Sequence, residues 1–596
     1  SLELLLAAHA QHPDDFWINY DLAYAHLHTT PPQWDESLRH YTAALALRPR
    51  SHVLYLNIGV VRMSQGKNAA AMTAFMKSVE LKPDFAPAHN NIGIVLTKDG
   101  KYDQAEAALQ QAIDLQPAWV APHNNLARLY IETNRTKKAF ESFDRAIELD
   151  PKIPHAYSGR GVLWAREKEY DKAIADFNLA LKNDDKFLEA YGGLSSVYEQ
   201  KKQYADAVKW GKTALRHDPK SVETHCRLGA TYSEWGRHEA TNGSRKLATE
   251  MFDKAIDHSN EAIRLDANSG EAWYCLGNAS RNRGQIRAAI AALEKAIVIL
   301  DGVHSKKGIK ADAHFNLGNN YRRLGDYLKA IDAYRAAIGA NPDRAQAYAN
   351  LGTTLLDQGN FDEAQKMYAD ALARDKKSLE NNINFAVALD RQGRYSDALA
   401  FLQGCLEKLE GGEGYKAEID GLIGFYERLV RLQKQLPAIL GGEKAPADAD
   451  LLQLAEICNA TKDYAAAARF YREVFAKQPG KAASLQDGYR FAAARAAACA
   501  SHGLDKGAAL TPEDQTLWRK QALDWLRADL SLWGRNAEKG PMPVTAVLQA
   551  LQRWRHHVDL AGIRGAALDK LEPGERDDWH KFWVEVDSLL KRIPIP

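Results

Sequence analysis

Six asparagines, Asn57, Asn91, Asn125, Asn316, Asn350 and Asn384, recur at one phase of a repeating pattern, each two residues before a small residue. A primary amide offers two donors and two acceptor lone pairs, so a row of them can pair with the main chain of an extended peptide whatever its sequence. Around them the same reading places Arg128, Arg227, Asn278, Asn282, Asn319 and Arg323 as a second set of polar contacts. The chemistry these residue types support is recognition without bond making.

No other constellation competes with the amides. The chain has no GxxxxGK[ST] phosphate loop, no HExxH and no GxSxG elbow. His556 and His557 are adjacent, which on a helix turns them about 100° apart and keeps them from one metal ion, so a solvated or capping role is expected. The acidic pairs Asp14–Asp15, Asp184–Asp185 and Asp577–Asp578 read as carboxylates around helix starts, where the dipole favours them. Cys226, Cys275, Cys405, Cys458 and Cys499 are odd in number and lack a CxxC pair, which argues against disulfides and zinc and fits a reducing compartment. The expectations are therefore no catalytic residue, no metal, no cofactor and a cytoplasmic location.

Composition sets the same limits. The 596 residues are 45% apolar and 26% charged, with 78 Lys plus Arg against 77 Asp plus Glu. That balance gives no bulk attraction to nucleic acid or an anionic membrane. No apolar run approaches the roughly 18 residues of a spanning helix. Partners are expected to be proteins or extended peptides, with no nucleic acid, membrane or small-molecule cofactor.

The elements that position the amides come from a period of 34 residues. Gly59, Gly93, Ala127, Gly161 and Ser195 share it, as do Ala71, Ala105, Ala139, Ala173 and Ala207, and Ser78, Ala112, Ala146, Ala180 and Ala214. Pro83, Pro117, Pro151 and Pro219 close four of these units, and Asp185 stands in the other. The pattern resembles the tetratricopeptide repeat, in which small residues let two antiparallel helices approach and proline ends the second. The expected fold is all-α, a right-handed α-solenoid with a C-terminal helical cap. About eleven repeats span 16–410, with insertions near 237–254 and 301–310 that read as loops or helix extensions.

The segment "SLELLLAAHAQHPDD", 1–15, aligns with only the second helix of a repeat, so the chain reads as cut from a longer polypeptide. After residue 410 the period fails. A helix ending at Pro437 and a linker are expected in 411–450, degenerate repeats in 451–535, and a Trp-rich cap in 536–596. Trp518, Trp525 and Trp533 fall at helical spacing, more consistent with a core seam than with a ligand cage.

Two further resemblances bear on function. The segments "HPDDFWINYDLA", "YAAAARFYREVFAKQP", "QALDWLRADLSLW" and "DLAGIRGAALDKLEPGERDDWHKFW" resemble the C-terminal half of large planctomycete serine/threonine protein kinases, in which a kinase domain precedes a tetratricopeptide array. No HRD loop, DFG, glycine-rich strand-turn or VAIK-like lysine occurs here, so no kinase residue carries over. In tetratricopeptide superhelices, the resemblance implies, first helices line the concave groove. There the asparagines look like the ladder in O-linked N-acetylglucosamine transferases that grips substrate backbones. The reading is a non-catalytic peptide-binding scaffold that recruits substrates to, or regulates, a bacterial serine/threonine kinase. The alternatives are an acceptor-recognition arm of an O-linked glycosyltransferase and a self-associating structural scaffold.

Overall fold

The computed structural model describes residues 2–29, 32–302, 307–408, 413–506, 509–540 and 542–593, and among these it contains helices and turns but no strand. Two compact units divide the chain, residues 1–238 and 239–596.

In the first unit α1 (Leu2–Gln11) packs on α2 (Phe16–Leu27), which pairs with α3 (Trp34–Leu47). The pairs α4 (His52–Ser64) and α5 (Asn68–Leu81), α6 (Ala86–Lys98) and α7 (Tyr102–Leu115), and α8 (Val120–Glu132) and α9 (Thr136–Leu149) follow. Next come α10 (Pro154–Arg166) with α11 (Tyr170–Asn183), α12 (Leu188–Gln200) with α13 (Tyr204–His217), and α14 (Val222–Thr241). First helices of neighbouring repeats pack on one another from α4 through α12.

The small residues explain the pairing. A Cβ on Gly93 would come within 2.5 Å of Leu109 Cγ, and one on Gly161 within 3.0 Å of Phe177 Cε1. Leu109 and Phe177 are buried at 0% and 1% exposure, so each pair closes by seating one large side chain against a bare backbone. Burying each such side chain is worth about 1.5–3 kcal/mol. Pro83, Pro117, Pro151 and Pro219 lie two residues beyond the ends of α5, α7, α9 and α13, outside the helices they terminate.

The second unit takes in the end of α14 from Glu239 and continues with α15 (Arg245–Leu265). The pairs α16 (Gly270–Arg283) and α17 (Ile286–Leu300), α18 (Lys307–Leu324) and α19 (Tyr327–Ala340), α20 (Ala345–Asp357) and α21 (Phe361–Arg374), and α22 (Leu379–Asp390) and α23 (Tyr395–Lys408) follow. The insertion near 237–254 is helical: α14 runs to Thr241 and α15 begins at Arg245, so the added residues lengthen both helices. Residues 303–306 of the second insertion and the glycines within 409–412 lie outside the described residues.

Beyond them α24 (Glu413–Leu440) runs through Pro437 and ends three residues later, where the sequence predicted a stop at the proline. Pro437 lies in the last turn, so the hydrogen bond its missing N–H removes and any kink it causes are confined to the helix end. The chain continues with α25 (Leu451–Ala460), α26 (Tyr464–Lys477), the single turn α27 (Pro479–Ala483), α28 (Tyr489–Ser501), α29 (Pro512–Lys539) and α30 (Val544–His556). Two 3₁₀ segments, Val558–Ile563 and Gly565–Lys570, lead into α31 (Pro573–Arg592).

The last helices do not simply stack on the final repeat. Helix α30 lies against α18, and its side chains reach carbonyls that a helix C-terminus leaves without intrahelical donors. Gln549 Nε2 donates to Arg322 O at 3.1 Å, and Arg553 Nε donates to Asp357 O at 3.0 Å. The tryptophans form the seam: Trp518, Trp525, Trp533, Trp554 and Trp579 are buried in one apolar core with Phe582 and Leu551, and Trp583 packs against it.

Candidate functional site: amide rows and a charged cavity

In the first unit the recurring asparagine position lies at the seam between one repeat and the repeat before it. Asn125 Nδ2 donates to Asn90 Oδ1 at 2.8 Å, and Asn57 Nδ2 donates to Tyr20 Oη at 3.2 Å. Glycine replaces asparagine in the following repeats for the same geometric reason. A Cβ on Gly159 would clash with the Phe143 ring of the preceding repeat, and one on Gly193 with the Phe177 ring. Asn91 is half-buried and Arg128 is exposed. Arg227 lies across Gly192 and pairs with Glu223 at 2.9 Å.

The second unit repeats the arrangement. Asn316 Nδ2 donates to Asn278 Oδ1 at 2.8 Å, and Asn350 Nδ2 donates to Asn319 Oδ1 at 2.9 Å. Asn316 is only 8% exposed. Asn384 and Asn282 are half-buried, and Arg323 is exposed. Each bonded amide has spent one hydrogen bond inside the chain and keeps a second N–H and acceptor capacity. Asn90 lies outside the recurring phase, yet it is 5% exposed and is the acceptor that ties α8 to α6.

A second feature escaped the sequence. A cavity of about 1310 Å³ opens in the second unit, where α25–α30 meet the helix turns of the three repeats from α18 to α23. Its wall includes Arg322 and Asp357, Asp390 and Arg391, Glu456 and Asn459, and then Tyr471, Tyr489, Arg495, Arg553 and His557. Some charges are matched. Arg495 pairs with Asp559 at 2.7 Å, Arg490 with Asp529 at 2.8 Å, and Asp357 faces both Arg322 at 3.5 Å and Arg553 at 3.9 Å.

Others are not. Among the described residues Asp390, Arg391 and Glu456 make no direct ion pair. Burial pushes the Glu456 carboxyl up to about 7, with Arg391 only partly opposing it. Burial likewise raises Asp390. His557 caps the 3₁₀ segment through Nδ1, which accepts from Asp559 N at 3.2 Å. Its Nε2 must then carry the proton, yet that atom is fully buried and without a partner, as is Asn459 Oδ1. Burial, then Arg495, Arg553 and Arg564, holds His557 well below its usual range, so the ring is neutral. The capping role expected for this histidine is present, but in a buried ring.

No periodicity announces this cavity, because its wall comes from turns and from helices far apart in sequence. A weak signal was the charged pair Asp390–Arg391, which opens a turn that like its neighbours carries glycine, here Gly393.

Comparison with known proteins matches the repeats. Tetratricopeptide-repeat families match residues 84–152 and 268–341, 321–378 and 355–411, 124–186, and 52–85. No curated protein matches the chain. Among solved structures, MamA is 31% identical over 32% of this chain and 92% of its own, with a TM-score of 0.25. A thermophilic TPR protein of Thermus thermophilus is 21% identical over 30% of this chain and 98% of its own, with a TM-score of 0.29. The human IFIT1 dimer with PPP-AAAA is 19% identical over 66% of this chain and 90% of its own, with a TM-score of 0.41. No helix among the described residues is long and apolar enough to cross a membrane. The helix pairs, the small-residue period and the family matches agree: the described residues are all-α, and tetratricopeptide-repeat families account for residues 52–186 and 268–411.

Proposed function

We propose that the chain is a non-catalytic scaffold that holds an extended segment of a partner protein, gripped in the second unit's cavity and along that unit's amide row. The observation that carries this reading is the cavity wall, where Asp390, Arg391 and Glu456 make no direct ion pair among the described residues. Charged groups on a cavity wall that lack an ion-pair partner can be matched by the side chains and main-chain amides of a bound peptide. Mixed charge on the wall fits a segment carrying both acidic and basic side chains.

The resemblance of the tail segments supports a narrower proposal: the partner is a substrate or regulator of a serine/threonine kinase, and the chain recruits it. A kinase domain encoded upstream in the same reading frame supports this assignment, and a sugar-nucleotide fold there favours the glycosyltransferase reading. The grip itself is tested by isolating a bound peptide and measuring its affinity for Asp390→Asn and Glu456→Gln variants. A drop of tenfold or more is expected, and unchanged affinity in both contradicts the cavity as the grip.

A further inference from the structure

Away from the amide rows and the cavity, three side chains of α2 and α3 converge. His26 lies in the last turn of α2, while Glu36 and His40 stand one helical turn apart on α3. A nitrogen from each histidine and a carboxylate oxygen of Glu36 lie within 4.8 Å of one another. His26 is 5% exposed and His40 3%.

Hydrogen bonding fixes which nitrogens face the gap. Asn19 Nδ2 donates to Pro13 O at 2.7 Å and Asp15 O at 2.9 Å, which turns its Oδ1 toward His40 Nδ1 at 3.0 Å. An amide oxygen only accepts, so His40 Nδ1 carries the proton and Nε2 a lone pair. His26 Nδ1 meets Gln33 Oε1 at 2.6 Å and is protonated on the same grounds. His26 Nε2 is then a buried lone pair with no partner. His40 Nε2 meets only Arg39 Nη2, at 3.4 Å, near the limit of a hydrogen bond.

A buried lone pair without a donor is costly, and here two imidazoles stacked 5.6 Å apart sit beside a carboxylate. Each histidine already has the outer oxygen partner that orients metal-bound imidazoles.

We propose that His26 Nε2, His40 Nε2 and the Glu36 carboxylate bind a divalent cation of the zinc class, which clamps α2 to α3. Two imidazole nitrogens and one carboxylate suit zinc, whereas calcium and magnesium take oxygen sets. Three protein ligands leave a tetrahedral ion one position, open to water or to His9, whose ring meets that of His40 edge-on at 4.9 Å. Arg39 pairs with Glu36 at 2.6 Å in the metal-free arrangement, but its side chain is 66% exposed and can turn into solvent as the ion enters.

The test titrates the full chain with zinc chloride and, separately, with cobalt(II), whose visible d–d bands report tetrahedral ligation. Zinc is expected to bind one equivalent at this site and to raise the melting temperature, and cobalt to give tetrahedral bands. Glu36→Gln, at a half-exposed position that leaves the helices intact, should weaken zinc at least ~10-fold and alter the cobalt spectrum. His26→Gln should abolish both signals. Absence of zinc binding by the wild type, affinities of both variants within twofold of it, or an equal response to magnesium would overturn the assignment.

Discussion

Asn125 donates its side-chain amide to Oδ1 of Asn90 across 2.8 Å, joining the first helices of consecutive repeats. The sequence suggested a row of amides reserved for a partner. The structure shows that the first bond of several rungs is spent within the chain, so the row both couples repeats and presents what capacity remains. Asn125→Ala leaves the buried Asn90 oxygen unpaired and should cost about 1–3 kcal/mol in urea unfolding. Asn90→Ala combined with Asn125→Ala should cost less than the sum of the two singles, and strict additivity would show that the bond carries no coupling.

Helix pairing makes a second prediction, with its control on the same helix. A Cβ on Gly318 would come within 2.7 Å of Tyr334 Cε1, whereas Gly308 has open space around it. Gly318→Ala should therefore destabilise by about 1–3 kcal/mol through overpacking. Gly308→Ala should be neutral or stabilise by up to about 1 kcal/mol, as alanine is the better helix former. Thermal melts of the two variants check both signs.

Glu456 gives the second unit a pH dependence. Its folded carboxyl is raised from 4.5 to about 7, so the folded state holds the proton more tightly than the unfolded chain. The stability linked to that proton is full below about 4.5 and is lost as pH rises through about 7. Asp390 and Asp529 are raised too and act in the same direction. His557, held below its usual range, acts oppositely, losing stability as pH falls below its ordinary value. Glu456→Gln isolates the one group: stability measured between pH 5 and 8 should fall less steeply in the variant, by up to about 3 kcal/mol across the range. Equal slopes would place Glu456 in contact with solvent.

What could be read from the sequence was what repeats. The 34-residue period located the helix pairs because a small residue, a facing bulky residue and a terminating proline each have a local physical cause. The asparagine phase was legible, but its direction was not. Whether Asn125 points to a groove or to Asn90 depends on how one repeat sits on the next, and a helical wheel of one repeat does not contain that. The cavity was hidden because Asp390 on α22, Glu456 on α25 and His557 just past α30 come together only when α30 returns to the turns of α18 and α20. His26, Glu36 and His40 escaped for a related reason, as a histidine on one helix and a Glu–His pair on the next match no linear metal motif.

Site-directed photo-crosslinking tests the central claim most directly. A photoreactive residue placed at Tyr489, on the cavity wall, or at the outward-facing Val298, which is 69% exposed on a second helix, is irradiated with the isolated partner. Mass spectrometry then identifies what each position captured. Partner peptide attached at position 489 and not at position 298 is the predicted result; capture at 298 alone, or equally at both positions, would contradict the account.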